Sequence, residues 1–143
     1  MKKHINLFLL ISIIAVIEDL KTGKITNHLI QIGYILVIAA QWIKSGIYSL
    51  GFSFLGSFFI IFILFPFFVN RTFGAGDLKL MSIAGFSFSI LSYQKILIFI
   101  GISFLSGAIL ALLIMCIQRR FIPKIHFSIP IVISTIFYLG GIY

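Results

Sequence analysis

Between Ile47 and Val69 the sequence reads IYSLGFSFLGSFFIIFILFPFFV, a stretch of 23 residues without a charge. Wound as a helix it shows no polar face, and a helix apolar all round needs lipid or complete burial. A second stretch of the same kind, residues 95–117, carries its only charge at Lys95. Such helices call for lipid rather than water in this 143-residue chain. Its composition agrees: 61% of residues are hydrophobic and 10% are charged, where soluble domains run near 45–50% apolar and about 25% charged. The sequence therefore predicts an all-α, polytopic membrane protein forming one domain over residues 1–143.

Crossing the hydrocarbon takes about 20 apolar helical residues. Six segments have that character: 5–20, 27–43, 47–69, 77–91, 95–117 and 127–142, with a loop over 70–76. The connections divide by charge. Lys21, Lys24, Arg71, Lys79, Arg119, Arg120 and Lys124 fall on one side, and Lys2, Lys3, Lys44 and Lys95 on the other. The positive-inside rule puts the first set in the cytoplasm and both termini outside, with Lys2 and Lys3 weighing against that orientation. The net charge of +8 is thus accounted for by topology. No basic domain with interleaved aromatics exists to hold nucleic acid. Residues 1–17 begin like a signal peptide, but Glu18-Asp19 stands where a small-residue cleavage site belongs. The lone Cys116 provides no disulfide framework or cysteine zinc site and is expected to be a small buried hydrophobe.

Only three residues are acidic: Glu18, Asp19 and Asp77. In the predicted topology all three lie at the same membrane face. Ionisable groups in spans usually line a cavity or pathway, and two carboxylates at one level meet the requirement for an aspartyl dyad. Such a pair shares a proton and holds a water between an acid and a base. Two structural readings stand beside this one. Asp77 suits a helix N-terminus, and Asp19 has Lys21, Lys24 or a lipid amine within reach as a partner. Gly74 and Gly76, just before Asp77, let another backbone approach closely.

Two motifs together resemble a known family. GAGDLKL at the head of the fourth span resembles the GxGD motif of the type IV prepilin peptidases, which are intramembrane aspartyl proteases. DLKTGKITNHL at the end of the first resembles the family's other aspartate motif, an Asp followed six residues later by Ile-Pro-Asn. Asp19, Ile25 and Asn27 take those places, and Thr26 stands where the family usually has proline. FSIPIVISTIFYLGG resembles the proline-containing final span of many members.

The resemblance implies that Asp19 and Asp77 are the catalytic pair of an aspartic-type endopeptidase. Its substrates would be prepilins or pseudopilins, cut behind their basic leader at the cytoplasmic face of the plasma (inner) membrane. Gly74, Gly76, Lys79, Asn27 and Glu18 are the supporting or substrate-binding candidates. Glu18 is expected to be an interfacial or leader-binding acid. Lys79 is expected to orient the loop, to bind lipid phosphate, or simply to snorkel. One cysteine and a start near the first aspartate span resemble the short, peptidase-only form found in Tad/Flp-type systems and among preflagellin peptidases. No methylation, cofactor or metal is expected. The small residues Gly101, Ser103, Ser106, Gly107, Ala108 and Ala111 of the fifth span allow close helix packing, within the bundle or against a substrate helix. A small ion- or proton-coupled transporter using the Asp pair is the alternative, and it requires ionisable groups near mid-depth. The substrate pilin and the oligomeric state are not readable from the sequence.

Overall fold

A computed structural model describes residues 2–70, 74–118 and 126–140. Among them every regular element is a helix: α1 (Lys2–Thr22), α2 (Asn27–Val69), α3 (Ala75–Phe88), a 3-10 turn (Ile90–Ser92), α4 (Tyr93–Gln118) and α5 (Ser128–Leu139).

The second and third predicted segments both fall in α2, interrupted at Gly46, whose φ of 72° and ψ of −180° are not helical. A side chain would strain this left-handed conformation. The break is a reversal. Gln41 Nε2 donates to Ser53 Oγ at 3.0 Å, yet 12 residues of straight helix would hold them about 18 Å apart. The two limbs, Asn27–Ile43 and Ser45–Val69, thus form a helical hairpin.

Two helical stretches, Ser45–Val69 and Ile90–Ile117, are long and apolar enough to cross a membrane, and two shorter ones, Asn27–Ile43 and Ser128–Leu139, are apolar. Outward-facing residues on the long pair include Phe58, Phe62, Leu112 and Ile117, all more than 60% exposed. Cys116, expected to be buried, also lies exposed on α4; its place in the helix turns it away from the packed side.

α3 is different. Its 14 residues reach about 21 Å, short of the roughly 30 Å hydrocarbon core, and every residue from Leu80 to Phe88 is buried. It is the central helix, packed chiefly on α2, with α1 and α4 also against it. The closest approach is glycine on glycine. A Cβ on Gly85 would sit 2.5 Å from the carbonyl oxygen of Gly56, and one on Gly56 would run into the carbonyl of Gly85. Polar groups tie the same seam. Ser57 donates to the Ser82 carbonyl at 2.7 Å, and the Tyr34 and Ser82 hydroxyls are 2.6 Å apart. α3 ends at Ser89, whose φ is 63°, so the predicted 77–91 segment closes as a 3-10 turn.

α1 and α5 pack together, and α5 also lies on α4. Ser103 and Ser106 donate to Ser134 Oγ and to the Pro130 carbonyl, and Gly107 gives way to Phe127 and Pro130. Packing within the bundle is therefore what these three fifth-span residues do. Gly101 has nothing near it. Of the predicted basic face, Arg71, Arg119, Arg120 and Lys124 lie outside the described residues, as does the end of the predicted 127–142 segment.

The glycine crossing generates a prediction. Gly56→Ala and Gly85→Ala should each destabilise the bundle by about 1–3 kcal/mol or more, the range for overpacking. Thermal unfolding in detergent reads the effect, with exposed Gly51→Ala, expected to be neutral or stabilising by up to about 1 kcal/mol, as the control.

Candidate functional site

The site lies where the α1–α2 connection meets the start of α3. α1 is stopped by Gly23, whose φ of 70° suits a C-terminal cap and whose N–H donates to the Asp19 carbonyl at 2.8 Å. Thr22 bonds the Glu18 and Lys24 carbonyls, closing a tight turn. Thr26 then caps α2, accepting from the Leu29 N–H. Asp19 is thereby held in the last turn of α1, 7% exposed.

At α3 the N-cap is Gly74, so Asp77 falls at the third helical position. Its carboxylate folds back to accept the Gly74 N–H, the acidic half of a capping box. A Cβ on Gly74 would stand 2.9 Å from Asp77 Oδ2, so this glycine makes room for the carboxylate itself. Gly76 makes room for the other motif: its Cβ would meet Ile25 Cβ at 3.0 Å. Lys79 spans the same junction, donating to Asn27 Oδ1 at 2.8 Å.

These pieces enclose a cavity of about 300 Å³ lined by Asp19, Gly23, Lys24, Ile25, Asn27, Gly74, Ala75, Gly76, Asp77 and Lys79. Two carboxylates from separate helices line one open pocket, and Asp77 feels the charge of Asp19 and of His126. Six of the seven residues singled out in the sequence thus line this cavity.

Glu18 is the exception. Its Oε2 accepts the Thr26 N–H at 3.1 Å, stapling the turn. A proline at 26, as the resembled motif usually has, would bring no N–H to that contact, so Thr26 and Glu18 form a matched pair.

Asp19 has partners that sequence reasoning did not find. Ser128 Oγ donates to its Oδ2 at 2.8 Å, and His126 Nδ1 lies 3.1 Å from the same oxygen. Among the described residues the basic side chain in contact with it is this histidine rather than Lys21 or Lys24. No group of three His, Cys, Asp or Glu side chains gathers to hold a metal among the described residues.

A model of the type IV leader peptidase family matches residues 6–112, a span that includes both aspartates. The chain belongs to the type IV leader peptidase family. No curated protein and no solved structure matches it significantly. Membership makes the chain a protease of a membrane-embedded family that acts on prepilin-type substrates. The matched residues end within α4, leaving α5, with the Ser128 that contacts Asp19, outside the match.

The staple yields a test that separates structure from charge. Glu18→Gln keeps an acceptor oxygen and should leave thermal stability within about 0.5 kcal/mol of wild type. Glu18→Ala should lose about 1 kcal/mol, the usual net value of one hydrogen bond. Equal losses in both would mean that charge rather than acceptance matters.

Proposed function

We propose that this leader peptidase is an aspartyl endopeptidase whose Asp19 and Asp77 activate one water between them. The supporting observation is their convergence on a single cavity at one end of the bundle. In this reading one carboxylate takes a proton from the water as its oxygen attacks the scissile carbonyl carbon. The other, protonated, hydrogen-bonds the carbonyl oxygen as charge develops there. Collapse of the tetrahedral intermediate breaks the C–N bond, and the departing nitrogen takes up the proton that the first carboxylate drew from the water. The leader leaves with a new carboxylate and the remaining chain with a new amine.

The substrate proposed is a prepilin or pseudopilin whose basic leader precedes an apolar helix. A second groove of about 310 Å³ supports lateral entry of that helix. Gly74 and Asp77 line it together with Phe104, Gly107, Ala108, Ala111 and Phe127, so it adjoins the acid cavity. An apolar segment lying on the small residues of α4 would present its first peptide bond to Asp77. The proposal includes six membrane segments, the acid end facing the cytoplasm, and peptidase activity without methylation. The transporter alternative gains nothing from the packing, because all three acids are at the ends of α1 and α3.

Asp19→Asn and Asp77→Asn should each lower cleavage of a co-expressed prepilin by about 10²–10⁴-fold, the usual worth of positioned acid–base groups. Gel shift and N-terminal sequencing follow the product, with membrane levels checked by immunoblot. Continued cleavage by either variant would contradict the dyad. In the groove, Ala108→Phe should raise KM for the prepilin several-fold while sparing a short peptide that lacks the apolar helix.

A further inference from the structure

Resting on the aspartyl-protease reading, we propose that His126 and Ser128 are positioning residues for Asp19. They join α5 to the site and fix which carboxylate oxygen Asp19 turns to the water.

Both contacts fall on one atom. Ser128 Oγ at 2.8 Å and His126 Nδ1 at 3.1 Å reach Asp19 Oδ2, and among the described residues Oδ1 has no polar partner. An aspartate's terminal torsion is broad and roughly two-fold, so an unrestrained carboxylate exchanges its two oxygens readily. Two donors on one oxygen remove that freedom. The other oxygen is left for water, in a reaction whose rate is sensitive to placement on the scale of an ångström.

The donors suit the task. Ser128 is fully buried and comes 109 residues after Asp19, so its hydroxyl arrives only through tertiary packing. His126 donates from Nδ1 whether the ring is the neutral Nδ1–H tautomer or the imidazolium, and a bond to a carboxylate is among the stronger kinds. The imidazole is 26% exposed and near enough for its protonated form to act on Asp77 as well, which puts it beside the pair rather than behind it. Phe127, between the two donors, packs where a Cβ on Gly107 would come within 3.1 Å of its ring. α4 thereby seats the start of α5 at a fixed height.

A purely structural anchor would lose stability and substrate binding along with turnover. A positioning pair loses turnover alone. The full chain in proteoliposomes, acting on a prepilin with a Lys-rich leader, separates the two. His126→Ala and Ser128→Ala should each lower kcat by about 10–100-fold with KM changed less than about two-fold, the pattern of interactions made only in the transition state. His126→Asn and Ser128→Thr, which retain a donor, should recover at least half of the logarithmic loss. Unchanged kcat in the His126→Ala/Ser128→Ala double variant, alongside inactive Asp19→Asn and Asp77→Asn, would overturn the positioning role and leave the dyad standing. Activity in those Asp variants would overturn the dyad itself. A substrate-free measurement completes the test. In protein labelled with 15N-histidine and held in nanodiscs, Asp19→Asn should shift the His126 ring nitrogens, assigned by their loss in His126→Ala. Unshifted His126 signals would contradict the pairing.

Discussion

The backbone of Gly76 lies against Ile25, and the candidate site exists because nothing larger than hydrogen stands between them. That contact sets how near the end of α1 comes to the start of α3, and so how near Asp19 comes to Asp77. Lys79 bonded to Asn27 braces the junction from the outer side. At the far end of α3 the Gly85–Gly56 crossing makes a second backbone contact. A 14-residue helix buried from Leu80 to Phe88 and pinned by glycine at both ends has little freedom to tilt or slide. Close-packed interiors transmit displacement rather than absorb it, so the glycines govern the acids from a distance as well as beside them.

The three acids divide their work. Glu18 satisfies a backbone donor in the turn, and the aspartates face the cavity. The lysines of the cavity rim, Lys24 and Lys79, surround the aspartates, and the contact to the Asp19 carboxylate comes from His126.

Much of this was legible in the sequence because lipid imposes long apolar runs and because glycines and charges punctuate them. The helical segments, the break near Gly46 and the shared end for Asp19 and Asp77 all follow from such signals. The short motifs brought Asn27, Gly74, Gly76 and Lys79 to the same place. What escaped was the contribution of α5. A histidine in a basic connection looks like one more topological charge, and a serine before Ile-Pro looks like a helix start. Neither carries a periodic signal, and their target is more than a hundred residues earlier. Glu18 escaped for the opposite reason: its partner is a backbone N–H, which is invisible in the identity of residue 26 until the turn is folded. Cys116 escaped because an all-apolar helix hides which of its faces is packed.

The central claim is that the two motifs meet, and proximity can be measured without a substrate. In a Cys116→Ser background, Ile25→Cys and Gly76→Cys put two Cβ atoms 3.0 Å apart on the present backbone, so a shift of about half an ångström brings them into the roughly 3.5–4.5 Å range of a disulfide. The test is to oxidise native membranes mildly and then count free thiols with a maleimide-polyethylene glycol tag. The account predicts that both cysteines become protected together and return on reduction, while Ile43→Cys paired with Gly76→Cys stays fully reactive. Free thiols at both positions after oxidation, at the level of that control, would contradict it.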